Sequence, residues 1–222
     1  MKTVLAYGDS LTWGYDAAGP GRHAHADRWP SVLQAALGSD ALVIAEGLNG
    51  RTTAFDDNLG SADRNGARIL PTILTTHAPL DLVILFLGAN DMKPWIHGNP
   101  VAATQGMGRL IDIVRGHAYP MADPAPKIVL MAPPPVSRTD NAEFKAMFEG
   151  GDEASLRLAP LYERLATERR CAFFDAGTVA KTTPLDGVHL DAENTRAVGT
   201  ALAPLVRNLL WTDPGEQHGR NV

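Results

Sequence analysis

Five short apolar runs punctuate the chain, at residues 3–7, 41–45, 81–87, 127–132 and 171–175. Each is nearly continuous in hydrophobes, which is how parallel strands buried on both faces read. Between them lie stretches whose apolar residues recur every three or four positions, at 29–37, 68–76, 101–117, 154–169 and 194–210. In the last of these, Ala197, Leu202, Leu205, Leu209 and Leu210 mark the predicted inward stripe. Strands that alternate with helices imply βαβ units, right-handed crossovers and helices on both faces of one sheet. The expected fold class is therefore α/β, a three-layer α/β/α sandwich around a five-stranded parallel sheet. Residues 1–211 are expected to form a single domain, and the polar stretch 212–222, with Pro214 and Gly215, a flexible tail.

A chain of 222 residues, 45% of them hydrophobic, is long enough to bury one sizeable core. The formal charge of −5, with no Lys/Arg-rich run, argues against a nucleic-acid partner or an anionic membrane surface and favours small neutral substrates. Cys171, the only cysteine, cannot form an intramolecular disulfide. Its setting among Ala172, Phe173 and Phe174 predicts a buried small hydrophobe, and a reducing cytoplasm is the expected compartment. The apolar start at Met1 is cut off by Gly8-Asp9-Ser10, so it reads as a first strand and not as a signal peptide. No apolar run approaches the roughly 20 residues of a transmembrane helix.

Ligands of open parallel sheets bind beyond the carboxyl ends of the strands. Those positions carry Gly8-Asp9-Ser10-Leu11, then Asn49-Gly50-Arg51, then Gly88-Ala89-Asn90-Asp91, and late in the chain Asp186-Gly187-Val188-His189. Ser10, at a strand-to-helix turn, is either a helix N-cap or an exposed nucleophile. A hydroxyl attacks only when an imidazole takes its proton and an acceptor holds that imidazole's tautomer, and His189 and Asp186 supply the pair. Read singly, Asp186 is a turn cap and His189 a solvated loop histidine. The Ser10 N–H, the Gly50 N–H and the Asn90 amide are candidates for an oxyanion hole, although Gly50 and Asn90 equally suit turns.

Together these blocks resemble the GDSL, or SGNH-hydrolase, family. Gly8-Asp9-Ser10-Leu11 is similar to its first block, Gly50 to the glycine of the second, Gly88-Ala89-Asn90-Asp91 to the third, and Asp186-Gly187-Val188-His189 to the fifth. The resemblance reaches roughly to Trp211 and is nearest the small bacterial arylesterase and acyltransferase branch, through stretches such as Asp27-Arg28-Trp29 and Phe148-Glu149-Gly150-Gly151. It implies a flavodoxin-like fold and a metal-free, cofactor-free serine esterase with Ser10, Asp186 and His189 as triad and Ser10, Gly50 and Asn90 around the oxyanion. It further implies short acyl esters as substrates, release of the acyl group to water, an alcohol or peroxide, and a homo-oligomer of up to eight chains. Trp13 and Tyr15 are expected to wall the pocket or to pack in the core, with Lys93 and Trp95 at its rim.

Three other readings compete. A carbohydrate deacetylase would share the same fold and triad. A non-catalytic flavodoxin-like binder is disfavoured by Asp9, which would set negative charge beside a phosphate. A metallohydrolase could use His23, His25 and Asp27, but Gly19, Pro20 and Gly21 nearby suggest a polar loop with no rigid element to hold ligands.

Overall fold

The computed structural model describes residues 1–19, 21–120 and 123–212, so all of the expected tail except Thr212 lies outside the described residues. Five parallel strands, β1 (Lys2–Gly8), β2 (Ala41–Gly47), β3 (Leu82–Phe86), β4 (Lys127–Ala132) and β5 (Ala172–Asp175), form one sheet in the order β2-β1-β3-β4-β5. That is the flavodoxin-like order, and β1, flanked by β2 and β3, marks the topological switch point.

Strand residues divide by parity between two cores. Leu5, Tyr7, Val83, Leu85, Leu130 and Ala132 face one side, where α3 (Gly66–His77), α4 (Pro100–Gly116) and α7 (Leu158–Glu168) bring Leu70, Leu74, Met107, Leu110, Leu158 and Tyr162. Val4, Ala6, Leu82, Ile84, Phe86, Val129 and Met131 face the other, packed by Trp29, Leu33 and Leu37 of α2 (Trp29–Leu37) and by Val198, Leu202 and Val206 of α8 (Ala192–Trp211). The period-two division is a consequence of the pleat. It explains why the strands read as unbroken apolar runs.

Several expectations need correction. The predicted helix over 154–169 is two helices, α6 (Gly151–Ser155) and α7, broken around Leu156 and Arg157. A continuous helix would bury Pro160 in its interior, where the ring clashes with the preceding turn; restarting at Leu158 places that proline in a first turn, where a missing N–H costs nothing. Residues 133–151, for which the sequence pattern predicts no element, hold a further helix, α5 (Ala142–Met147), whose cap is Asn141 Oδ1, accepting from Glu143 N at 3.1 Å and Phe144 N at 3.2 Å. The connection 16–27 is pinned by a two-residue antiparallel ribbon, Tyr15–Asp16 against Gly21–Arg22. Cys171 is half-buried, at the edge of the first core.

On α8 the buried line is Val198, Gly199, Leu202, Ala203, Val206 and Leu210, while Leu205 and Leu209 flank it. Small residues carry the contact because α2 comes very close. A side chain at position 199 would run into Trp29 O and Val32. Of the expected stripe, Leu202 and Leu210 lie on this line, whereas Ala197, Leu205 and Leu209 are only partly buried. Leu202→Ala is expected to cost about 2–5 kcal/mol of unfolding free energy, and Leu209→Ala much less, as read by urea denaturation; equal costs would return the stripe to the leucines.

Candidate active site

The end of β1 delivers Ser10 to the switch point as the first residue of the one-turn helix α1 (Ser10–Trp13). Asp9, one residue earlier, is the N-cap: its Oδ1 accepts from Leu11 N at 2.9 Å. Ser10 Oγ is thereby released from capping and lies 2.9 Å from His189 Nε2. His189 Nδ1 lies 2.6 Å from Asp186 Oδ2, and Asp186 Oδ1 accepts from Val188 N and His189 N, both at 2.9 Å. This turn from Asp186 to His189 needs Gly187, whose φ is +76° and whose missing Cβ would strike the Ser137 carbonyl. The Tyr15 ring stacks on the imidazole with centroids 4.2 Å apart. Ser10, Asp186 and His189 are all buried.

Burial alone would raise the Asp186 carboxyl, but the His189 imidazole and the His189 and Val188 amides outweigh it and hold it below the usual carboxylate range. Asp186 therefore stays ionised beside Nδ1, which favours a proton on that nitrogen and leaves Nε2 to accept from Ser10. The arrangement can activate a hydroxyl.

The Ser10 and Gly50 backbone N–H groups donate to nothing among the described residues, and Gly50 sits at φ +83° on the rim of the same cavity as Ser10. Asn90 comes in from the end of β3. Its Nδ2 is 3.3 Å from Asp9 Oδ2 and 3.2 Å from Arg51 O, so an oxyanion would have to draw it from two long bonds.

The cavity measures about 410 Å³ and is lined by Ser10, His189, Tyr15, Gly50, Asn90 and Lys93, with Trp95 among the outer residues. A somewhat larger cavity, about 480 Å³, lies beyond Phe144 and Phe148. It touches Asp186 but not Ser10 or His189, so the chemistry belongs to the smaller one. Trp13 lines neither; the Arg22 guanidinium covers its ring at 4.6 Å. Lys93 is buried instead of standing at the rim, whereas Trp95 is 48% exposed.

His23 is not a solvated loop residue. It is buried, and its Nε2 lies 2.9 Å from Leu190 O, directly beyond His189 in the chain, because the ribbon and the His23 N to Gly14 O bond draw the loop inward. His25 pairs with Ser31 and Asp27 with Arg196, so the three side chains diverge. Among the described residues no cluster of three or more His, Cys, Asp or Glu is placed to hold a metal.

Several supports escaped the sequence reading. Asp91 accepts from Thr53 N (3.1 Å) and Thr53 Oγ1 (2.5 Å), tying the loop after Gly50 to the loop of Asn90. Arg51, buried over the Tyr7 ring, donates to Gly8 O at 2.8 Å and to Glu46 O, clamping the ends of β1 and β2. Phe144, Met147 and Phe148 wall the cavity from α5 and its end; their i, i+3, i+4 spacing after Asn141 was the visible signal.

The model of the GDSL-like lipase/acylhydrolase family matches residues 6–197. The chain belongs to that family. Among solved structures, a carbohydrate acetylesterase family member from Sinorhizobium meliloti is 65% identical, with 95% of this chain and 99% of that one covered and a TM-score of 0.94. A proposed arylesterase from Agrobacterium tumefaciens str. C58 is 52% identical, covering 95% of this chain and 100% of that chain at TM-score 0.90. The aryl esterase of M. smegmatis is 42% identical, with the same coverages and a TM-score of 0.89. No curated protein gives a significant match. Within the GDSL family frame the chain is a hydrolase, and no helix among its described residues is long and apolar enough to cross a membrane.

The acid next to Ser10 makes stability depend on pH. Burial, aided by Asp91 and opposed by the Leu11 amide and Arg51, pushes Asp9 up to about 7, and burial pushes Asp91 up to about 6. Since these folded values lie above the unfolded ones, the protonated acids favour the native state fully below about pH 4, and that contribution is lost as pH rises through 6 and 7. Thermal unfolding of Asp9→Asn is expected to lose less stability across this window than wild type. Parallel profiles would contradict the buried-acid assignment.

Proposed function

We propose that the chain is a serine esterase that cleaves short-chain acyl esters through an acyl-enzyme on Ser10. The observation that carries this reading is the hydrogen-bonded line Asp186–His189–Ser10 opening into a cavity beside two undonated backbone N–H groups. His189 Nε2 takes the Ser10 proton as Oγ attacks the ester carbonyl, and the proton passes to the departing alcohol. Ser10 N–H, Gly50 N–H and, once drawn from its resting bonds, the Asn90 amide hold the developing oxyanion. Water, activated by the same imidazole, then releases the acid; an alcohol in its place gives acyl transfer.

The cavity walls suit small acyl and aryl groups, with Tyr15, Phe144, Met147 and Phe148 supplying apolar surface. Carbohydrate acetates are the second reading of the alcohol part, supported by the description of the Sinorhizobium meliloti neighbour. Acetyl transfer from both kinds of alcohol uses the same residues.

Turnover of phenyl acetate with chelator present is the test. Wild type is expected to be active, Ser10→Ala to lose kcat by a factor on the order of 10⁴ or more, and Asp186→Asn to lose nearly as much through the wrong imidazole tautomer. A Ser10→Ala enzyme as fast as wild type would overturn the assignment. Product ratios across phenyl acetate and a peracetylated sugar decide between the two alcohol classes.

A further inference from the structure

One charged group in the cavity has no part in acyl transfer. Lys93, the third residue beyond Asn90, is only 6% exposed, yet it lines the cavity that holds Ser10 and His189. Its Nζ lies 5.8 Å from the Trp95 ring centroid and 5.6 Å from that of Phe148, and among the described residues it makes no hydrogen bond or ion pair. The neighbouring charges are already committed. Asp57 accepts from Arg64 at Oδ2 (2.9 Å) and from Leu59 N at Oδ1 (3.2 Å). Asp9 serves Leu11 and Asn90, and Asp91 serves Thr53.

An ammonium carries three donors, and aromatic faces attract its charge without accepting them in full. The Lys93 ammonium faces the cavity without a protein acceptor among the described residues, and an acceptor bound there would take over from solvent. A neutral ester oxygen replaces little of that solvation. A carboxylate replaces most, through a charge-assisted bond. The charge of −5 over the whole chain points to neutral substrates, whereas this wall of the cavity has its own local sign.

We propose that Lys93 is a specificity-determining residue that selects esters bearing a carboxylate. The inference rests on reading the cavity as an ester site. It assigns Lys93 to the substrate's anion, separate from the reacting carbonyl.

The experiment compares kcat/KM for two matched pairs, para-acetoxybenzoate against para-tolyl acetate, and monophenyl succinate against phenyl butyrate, so that the anion is tried in the alcohol and in the acyl part. In wild type, the carboxylate-to-neutral ratio of at least one pair is expected to exceed that of Lys93→Met and Lys93→Gln by about tenfold or more. Lys93→Arg is expected to restore most of it. Ratios unchanged in both pairs, or charged and neutral esters losing rate equally, would overturn the proposal by showing a merely structural lysine. Calorimetric binding of benzoate to Ser10→Ala, expected to weaken when Lys93→Gln is added, needs no turnover. If wild type hydrolysed none of the four esters, the esterase reading would fall while the benzoate titration still decided the role of Lys93.

Discussion

The hydrogen bond between Ser10 and His189 joins residues 179 positions apart, and the remaining structure is arranged so that this 2.9 Å contact can exist. Its two ends are fixed independently. Ser10 is set by β1, a central strand paired on both sides, and by Asp9, which takes over the capping duty a serine would otherwise perform. His189 is set by Asp186, which binds the ring and two amides of one short turn, and by the Leu190 carbonyl that His23 holds from beneath. The His189 end lies on the connection between β5 and α8, and these bonds are what hold it. A hydroxyl and an imidazole held this way need little reorganisation to exchange a proton.

The acidic residues near the site divide by what surrounds them. Asp186 is buried but wrapped by donors, so it stays charged and orients an imidazole. Asp9 and Asp91 are buried with weaker compensation and are pushed up toward neutrality. That difference lets carboxyls from three connections, after β1, β3 and β5, stand near one site without all of them being in the same state. Asp91 with Thr53 and Arg51 with the Gly8 and Glu46 carbonyls keep the loops of Gly50 and Asn90 at a constant spacing. Polar groups that look like turn chemistry in isolation act as the frame of the cavity.

The sheet was legible because its central strands, β1, β3 and β4, are buried on both faces and leave short apolar runs, too short for helices, between longer periodic stretches. Ser10 was legible because it follows β1, where ligands of such sheets bind, whereas Asp186 and His189 stand in the stretch between β5 and α8 and were read from a carboxylate and an imidazole three residues apart. What escaped has physical reasons. Apolar size misjudged α8, since the tight approach of α2 favours glycine, alanine and valine at the contact. Pro160 broke a helix that periodicity joined. Three side chains, Trp13, Lys93 and His23, were placed by sequence proximity to the site or to a glycine-rich loop, and proximity along a chain does not give direction: Trp13 turns to Arg22, Lys93 goes inward, and His23 is drawn under His189. The walls from α5 went unread because a helix of six residues inside a long connection yields too little periodic signal.

The proposed chemistry requires a covalent bond at Ser10, which rapid-quench mass spectrometry of the protein mixed with phenyl acetate would detect. A transient population one acetyl group heavier is expected, with the added mass on the peptide containing Ser10 and absent in Ser10→Ala. Rapid turnover with the acetyl group on another residue, or acetylation undiminished in Ser10→Ala, would contradict it.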